Sequence, residues 1–195
     1  DVELIMNATN KQKRTMLFSA TMPKEILRIA KKYMEKYEFV AIKKEQLTAN
    51  LTDQIYFEVS TSDKFDALCR IIDIEHEFYG LVFCRTKVDV DKIGRRLVDR
   101  GYDADALHGD ISQYQRETIL NKFKRKRTNV LVATDVAARG IDIIDLSHVI
   151  NFSLPQDPEY YVHRIGRTGR AGKEGTAITF VTPEEYRSLL FIQRI

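Results

Sequence analysis

Cysteine is scarce in this chain, and long apolar runs are absent from it. The two cysteines, Cys69 and Cys84, are too few for a disulfide framework and lack C-x-x-C or histidine-rich partners, which suits a reducing compartment and argues against a metal site. No segment approaches the roughly 20 apolar residues of a membrane span, and residues 1–10 lack the basic region and apolar core of a signal peptide. We therefore predict a cytoplasmic protein that has no membrane contact and no metal site.

Glycine motifs that bind nucleotides are also missing. The closest approach to a Walker A sequence is A-G-K-E-G at 171–175, but Arg167 stands where the first glycine is required and Glu174 stands where Ser or Thr is required. No G-x-G-x-x-G fingerprint occurs either, which argues against a dinucleotide site or a kinase glycine loop. These 195 residues are therefore not expected to hold a nucleotide by themselves.

The composition suits a folded protein with a substantial core. With 195 residues, 44% of them hydrophobic, the chain can form one domain, or one domain with part of another. The net charge of +3 permits a polyanionic partner without demanding one. The densest basic run, at 122–127, is typical of the solvated end of a helix, and a weak nucleic-acid patch is the alternative.

The pattern from residue 54 onward predicts a doubly wound α/β domain. Short apolar segments such as L-V-F and V-L-V-A alternate with amphipathic segments, which indicates a parallel sheet with helices on both faces. The predicted strands are 54–60, 80–84, about 104–107, 129–134, 148–152 and 176–181. The predicted helices are 64–76, 90–101, 113–123 and a short one after residue 134.

Residues 1–43 are predicted to be a separate piece. We expect a strand at 15–18, a helix that follows Pro23, and another strand at 39–43. Residues 44–53 are polar and without periodicity, so they are predicted to be a linker to the domain at 54–195.

Polar clusters follow three of the predicted strands. Ligands of open parallel sheets bind at the carboxyl ends of the strands, so these clusters are candidate site residues. They are Arg85 and Thr86 after the second strand, His108, Gly109 and Asp110 after the third, and Thr134 and Asp135 after the fourth. Hydroxyls, amides and guanidinium groups hold phosphate oxygens, so the edge could follow a phosphodiester backbone without reading bases. Ordinary turn chemistry is the alternative for each cluster.

Arginine and glycine alternate with a step of three near the C-terminal end. Arg164, Arg167 and Arg170 would share one face if the segment Y-Y-V-H-R-I-G-R-T-G-R were helical. Two glycines inside such a helix would cost about 1 kcal/mol each relative to alanine. We therefore expect a ligand or another backbone to approach closely here, and the arginine forks to bind an anion. A basic exposed turn is the alternative.

Five ordered segments resemble motifs of the DEAD-box ATP-dependent RNA helicases. Ser19-Ala20-Thr21 resembles the SAT motif, L-V-F-C-R-T at 81–86 resembles motif IV, and H-G-D-I-S-Q-Y-Q-R-E at 108–117 resembles the segment that follows. A-T-D-V-A-A-R-G-I-D at 133–142 resembles motif V, and H-R-I-G-R-T-G-R at 163–170 resembles motif VI. Nearly the whole chain resembles a second RecA-like domain preceded by the tail of the first.

The resemblance implies a composite ATP site. Arg167 and Arg170 would be arginine fingers, and Asp142 would accept hydrogen bonds from the ribose of ATP. ATP with Mg²⁺ would be bound mainly by the N-terminal RecA-like domain of the same protein. His163 and Arg164 would link the fingers to that domain, and Ser19 and Thr21 would couple the nucleotide state to strand separation; a strand-to-helix turn with Ser or Thr caps is the alternative for this pair.

The resemblance also implies that RNA is a partner. Its sugar-phosphate backbone would contact seven residues of the carboxyl edge: Arg85, Thr86, Gly109, Asp110, Arg116, Thr134 and Gly140. Binding would then depend on salt and not on sequence, and 2′-hydroxyl contacts would select RNA.

Two other functions stay open at this point. One is a stand-alone module that binds RNA or docks a protein without ATPase activity, and the other is a DNA-acting superfamily 2 helicase. We also expect residues 1–43 to promote self-association, because an unpaired apolar strand at 15–18 would expose its edges.

Overall fold

The computed structural model describes residues 2–10, 12–19, 22, 24–34, 36–41, 51–141, 143, 145–169 and 173–193. The chain forms two compact units, Asp1–Lys44 and Glu45–Ile195. Within the described part of the chain, no helix is long and apolar enough to cross a membrane.

The described residues of the first unit form two helices, α1 (Val2–Ala8) and α2 (Lys24–Tyr33). The second confirms the predicted helix, with Ala30 buried, whereas α1 was not predicted. An ion pair joins the two helices, with 2.7 Å between Lys32 Nζ and Glu3 Oε1.

The strands predicted in the first unit are wrong where the structure describes them. Residues 15–18 and 39–41 have no regular secondary structure, and residues 42 and 43 lie outside the described part. A strand forms only when another strand pairs with its N–H and C=O groups. The described residues of this unit include no strand that could act as a partner. The self-association expected for residues 1–43 thereby loses its strand-pairing basis and stays a prediction.

The second unit is built on a parallel sheet of six strands in the order β1-β6-β5-β2-β4-β3. The strands are β1 (Thr52–Glu58), β2 (Gly80–Phe83), β3 (Ala104–Leu107), β4 (Val130–Ala133), β5 (His148–Asn151) and β6 (Gly175–Val181). Each of them matches a predicted strand. The first begins at Thr52, inside the predicted linker, because it pairs with β6 from Thr52 opposite Gly175 onward.

Among its described residues, the second unit has six helices that accompany the sheet. They are α3 (Lys64–Ile74), α4 (Lys87–Asp99), α5 (Gln113–Lys124), α6 (Asp135–Ala138), α7 (Pro158–Ile165) and α8 (Tyr186–Ile192), with a 3-10 turn at Pro183–Glu185. The first four match predicted helices, although α4 begins three residues earlier than predicted because Thr86 caps it.

Two apolar cores cover the two faces of the sheet. Val82 on β2 packs with residues of α3 and α4, such as Leu68 and Val90. Its neighbours along the strand, Leu81 and Phe83, pack with residues of α5 and α6 on the opposite face. This alternation along one strand confirms the doubly wound architecture.

Both cysteines are buried core residues with free thiols. Burial raises the pKa of the Cys84 thiol well above its ordinary value. The thiol therefore stays protonated and packs as a small apolar group.

Candidate functional site

The carboxyl end of β2 presents Arg85 and Thr86, both exposed. The Thr86 hydroxyl caps α4, because Oγ1 accepts from Asp89 N at 3.1 Å and donates to Asp89 Oδ2 at 2.7 Å. The backbone N–H of Arg85 donates to Ser153 Oγ at 3.2 Å. These bonds fix the turn after β2 against the end of β5.

A carboxylate that the sequence prediction missed lies beside Arg85. Glu185 Oε1 is 3.7 Å from Arg85 NH2, and Glu185 Oε2 accepts from Lys64 Nζ at 3.2 Å and from Thr182 N at 3.1 Å. The Lys64 side chain is only 8% exposed, so this ion pair is largely shielded from water. The T-P-E-E sequence at 182–185 fits a capping box, which is the signal that could have revealed Glu185.

The carboxyl end of β3 leads into His108, Gly109 and Asp110. Lys87 Nζ lies 2.5 Å from Asp110 Oδ2, and this hydrogen bond lowers the pKa of the Asp110 carboxyl below its ordinary value. His108 is buried, with Nε2 3.0 Å from Asp91 Oδ1. The side chains at this edge are thus held by α4.

Gly109 and Gly140 stand in open space. A Cβ built on either residue meets no atom within 4 Å. Gly140 has a φ of +67°, a conformation that favours glycine, whereas Gly109 does not have a positive φ. The fold therefore explains the glycine at position 140 but not the one at position 109, where an approaching ligand would explain it.

Helix α6 follows β4 and receives three of the predicted site arginines. Arg116 NH2 donates to Ala137 O at 2.6 Å. Arg164 forms a two-pronged ion pair with Asp135, and Arg167 NH2 donates to Ala138 O at 3.4 Å. Arginines from α5, from α7 and from the turn after α7 thus meet on one helix of four residues.

The Arg164 guanidinium is buried, with 3% of the residue exposed. Nε and NH2 donate to the two oxygens of Asp135 at 2.7 and 2.8 Å. NH1 donates to Asn151 Oδ1 at 2.9 Å and to Ser153 O at 2.8 Å. The group therefore joins the ends of β4 and β5 to α7 inside this unit.

Arg167 follows the end of α7 and turns toward the segment after α6. Its NH1 donates to Ile141 O at 2.7 Å. Thr134 at the start of α6 has its hydroxyl occupied as the helix cap, accepting from Ala137 N at 3.3 Å. Thr134 thus begins the short segment 134–141, and Arg167 is hydrogen-bonded to its last residue, Ile141.

The helix considered for the segment that begins at Tyr160 ends before Arg167, and Arg170 lies outside the described residues. Helix α7 ends at Ile165, and the next two backbone N–H groups, of Arg167 and Thr168, bond to Arg164 O and Ile165 O as a tight turn. Thr168 then pairs with Leu146 in a parallel bridge, and its hydroxyl donates to Leu146 O. The turn toward this bridge is the physical reason that the helix does not reach Arg167.

The close approach predicted for the glycines of this segment is confirmed at Gly169, and Gly175 shows a similar approach. A Cβ at Gly169, which has a φ of +64°, would lie 2.9 Å from Leu51 O. A Cβ at Gly175 would lie 2.7 Å from Gly169 N. The approaching groups belong to the same unit and are the hydroxyls of Thr52 and Thr168 together with neighbouring backbone atoms.

Comparison with known proteins identifies the family. The model of the helicase conserved C-terminal domain matches residues 63–172, which is more than half of the chain. The structure of the Escherichia coli DEAD-box protein SrmB bound to the regulator of ribonuclease activity A is 37% identical, with a TM-score of 0.69, over 74% of this chain and 85% of that one. This chain belongs to the DEAD-box family.

Other DEAD-box proteins are similar over almost the full chain. A protein of Methanocaldococcus jannaschii named "probable ATP-dependent RNA helicase" is 54% identical over 194 residues, which are 100% of this chain and 52% of that protein. The structure of Saccharomyces cerevisiae Dbp5 bound to RNA and ADP BeF3 is 30% identical with a TM-score of 0.87, and the match covers 97% of this chain and 51% of that one. The chain therefore spans about half the length of these relatives, and its sheet is the RecA-like sheet of their C-terminal domain.

The predicted site residues that the structure describes in the second unit fall mainly into two groups. Arg116, Thr134, Arg164 and Arg167 meet at α6, and Gly140 follows that helix. Arg85, Thr86, Gly109 and Asp110 lie after β2 and β3, where the Lys87–Asp110 ion pair connects the two strand ends.

The remaining predicted residues are not placed in either group. His163 is exposed on α7, and Ser19 is exposed in the first unit. Thr21, Asp142 and Arg170 lie outside the described residues. The predicted contact of His163 and Arg164 with a second domain stays a prediction, although the Arg164 donors described above are directed into its own unit.

Proposed function

We propose that this chain is the C-terminal half of an ATP-dependent RNA helicase, in which an N-terminal RecA-like domain supplies the rest of the ATP and RNA sites. The names of its relatives support this proposal, since the M. jannaschii protein is called an ATP-dependent RNA helicase and the Dbp5 structure holds RNA and ADP BeF3. No Walker A sequence occurs in these 195 residues, so we expect no appreciable ATP hydrolysis by the chain alone.

One observation carries the proposal, namely the convergence of arginines on α6. Arg116 is a predicted RNA contact, Arg167 is a predicted ATP contact, and both donate to carbonyls of this helix. Arg164 ties α7 to the first residue of the same helix. A displacement on the nucleotide side would therefore be transmitted to the RNA side through directly bonded groups.

On the nucleotide side, ATP is the substrate and its γ-phosphoryl group is transferred to water. Arg167 and Arg170 would stabilise the charge that develops on that group, and Asp142 would bind the ribose. Arginine fingers contribute about 10³ to 10⁵ in rate, or about 4–7 kcal/mol. Their donors suit phosphate oxygens, and Mg²⁺ would be held mainly by the N-terminal domain.

On the RNA side, the carboxyl edge would hold the sugar-phosphate backbone. Arg85 and Arg116 supply positive charge, and the open position of Gly109 lets a backbone approach without meeting a side chain. Thr86 and Thr134 lie at the starts of α4 and α6, where backbone N–H groups favour anions. Contacts of this kind are independent of sequence and weaken with salt.

Binding and domain closure would be thermodynamically linked. ATP and RNA each bridge the two domains in this proposal, so that each ligand favours the closed state and thereby raises the affinity for the other. Closure would complete the hydrolytic site, and hydrolysis would reopen the cleft.

The proposal is tested with the intact protein that carries both domains. We expect Arg167→Ala or Arg170→Ala to abolish RNA-stimulated ATP hydrolysis, measured as phosphate release. Arg95→Ala, at an exposed position of α4, is the matched control and should turn over normally. Normal turnover in both finger variants would refute the assignment.

Binding experiments separate the alternatives. RNA affinity of the 195-residue chain equal to that of the intact protein, with no effect of ATP, would support a stand-alone RNA-binding module instead. Activation of ATP hydrolysis by DNA as strong as that by RNA would support a DNA-acting helicase. The cytoplasmic location and the self-association of residues 1–43 belong to the proposal and rest on sequence alone.

A further inference from the structure

Three helices that begin at the carboxyl edge each expose an apolar side chain at their second residue. These are Val88 in α4, Tyr114 in α5 and Val136 in α6, with exposures of 67%, 80% and 73%. In each helix a hydroxyl residue provides the N-cap two positions earlier: Thr86, Ser112 and Thr134. The strands that lead to these helices, β2, β3 and β4, are neighbours in the sheet. Each of the three helix starts at this edge thus combines a capped first turn with an exposed apolar side chain.

Tyr114 is the largest of the three side chains, and the core does not use it. Phe123, nine residues later in α5, is fully buried, and nine residues are two and a half helical turns. Tyr114 therefore lies on the opposite side of the helix from the core. Since Cα–Cβ bonds tilt toward the N-terminus of a helix, its ring leans toward the carboxyl edge.

Two groups suited to phosphate lie near Tyr114 in sequence. Gly109 stands in open space before α5, and Arg116, on the side of the helix that carries Phe123, donates to Ala137 O. The Ser112 cap and its partner Gln115 fix the first turn of the helix through a reciprocal pair of bonds. The ring is therefore presented from a rigid turn at the start of α5.

We infer that Tyr114 stacks on a base of the RNA strand whose backbone the carboxyl edge holds, an inference that rests on the proposed function. Phosphates that face the edge leave the bases pointing outward, which is where this ring stands. A positive groove combined with an aromatic platform is the arrangement by which proteins bind single strands without sequence preference. Val88 and Val136 extend the apolar surface on the neighbouring helices.

The absence of tryptophan from the chain gives a direct test. Tyr114→Trp introduces one indole, whose emission is quenched when a base stacks on it. The chain is titrated with a single-stranded RNA decamer while the anisotropy of labelled RNA is recorded in parallel. We expect the quenching to saturate, and we expect its midpoint to fall at the same RNA concentration as the midpoint of the anisotropy curve. Val98→Trp, at an exposed position in the last turn of α4, is the control and should keep its emission.

Affinity measurements complete the test. Tyr114→Ala should weaken RNA binding by about 5- to 150-fold, whereas Tyr114→Phe should bind like the parent chain. The salt dependence of binding should be the same in all three proteins, because the phosphate contacts are unchanged. Saturable binding without quenching, or full affinity in Tyr114→Ala, would overturn the inference and leave the proposed function standing. Absence of RNA binding by the intact protein that carries both domains would overturn both.

Discussion

Arg164 and Asp135 form a two-pronged ion pair across 29 residues of sequence, with donor–acceptor distances of 2.7 and 2.8 Å. The arginine is 3% exposed, so the pair is largely removed from water. Asn151 Oδ1 and Ser153 O accept the remaining described bonds, and Asn151 is in turn bonded to Thr179 at 3.0 Å. One guanidinium thereby holds together the ends of β4 and β5 and the helix α7.

Removal of this guanidinium should be strongly destabilising. Arg164→Ala leaves the Asp135 carboxylate and the Asn151 carbonyl without their donor. Loss of one partner of a fully buried pair costs about 3–5 kcal/mol, and we expect the lower end of that range because the Asp135 side chain is 24% exposed. Urea denaturation followed by circular dichroism measures the effect.

The control is an ion pair on the surface of the same unit. Lys173 Nζ is 2.9 Å from Asp145 Oδ2, and the two side chains are 67% and 39% exposed. Lys173→Ala should cost less than about 1 kcal/mol. Equal losses in the two variants would show that burial does not strengthen the Arg164 pair.

The sheet could be predicted from the sequence because its strands are short and apolar. L-V-F and V-L-V-A are buried on both faces, so their composition alone distinguishes them from the amphipathic helices. T-M-L-F at 15–18 is also mostly apolar, but it has no strand beside it among the described residues of its unit. An apolar segment becomes a strand only where a neighbouring strand can pair with it. A single sequence does not show which segments will be neighbours.

The sequence predicted which polar residues follow the strands but not the bonds that they form. Asp135 was expected at the edge because it follows β4, yet its partner Arg164 comes from a helix that the periodicity extended too far. Gly166 has an ordinary helical φ of −63°, so its presence did not mark the end of α7. That end is set by the bridge between Leu146 and Thr168, a contact between distant parts of the chain.

Substitution of either of two glycines in the repeat should destabilise the protein. Gly169→Ala places a methyl group 2.1 Å from Thr52 Oγ1, at a residue whose φ of +64° also disfavours a side chain. Gly175→Ala places one 1.8 Å from Thr168 Oγ1. Because backbone atoms also lie within 3.0 Å in both cases, relief requires backbone movement, and we expect losses of about 2–5 kcal/mol in the free energy of unfolding.

Gly109→Ala is the matched control for these variants. Its Cβ would meet nothing within 4 Å, and its φ is not in the left-handed region. The free energy of unfolding should therefore stay within about 0.5 kcal/mol of that of the parent chain. RNA binding should weaken if an RNA backbone approaches this residue. A Gly169→Ala variant as stable as Gly109→Ala would contradict the close packing described here.

The shielded ion pair between Lys64 and Glu185 gives a further prediction. Glu185→Gln keeps a carbonyl that can accept from Thr182 N but removes the charge that faces Lys64 Nζ at 3.2 Å. We expect a loss of about 1–3 kcal/mol, reduced from the value for a fully buried pair because the Glu185 side chain is 25% exposed.

A second substitution separates charge loss from packing loss. Lys64→Met in the Glu185→Gln background removes the uncompensated ammonium group at similar volume, so part of the stability should return. Chemical denaturation of the parent, the single variants and the double variant forms a complete cycle. Additive losses would show that the two residues do not interact.

His148 should make the stability of the second unit depend on pH. Burial lowers the pKa of this imidazole below its ordinary value, against a smaller opposite effect of Glu75, whose Oε1 lies 3.8 Å from Nε2. The ring stacks on Phe78 at 5.0 Å, and its Nδ1 lies 2.9 Å from Ser147 Oγ. Below the ordinary pKa of 6.5 the unfolded chain therefore binds a proton that the folded chain does not.

Stability is thus expected to be complete above pH 6.5 and to fall as the pH decreases toward the lower pKa of the folded state. One proton contributes a slope of at most about 1.4 kcal/mol per pH unit. Urea denaturation at intervals between pH 7.5 and 5 should show a shallower slope for His148→Gln than for the parent chain, whatever the absolute stability of the variant. Parallel pH profiles for the two proteins would mean that another group causes the acid sensitivity.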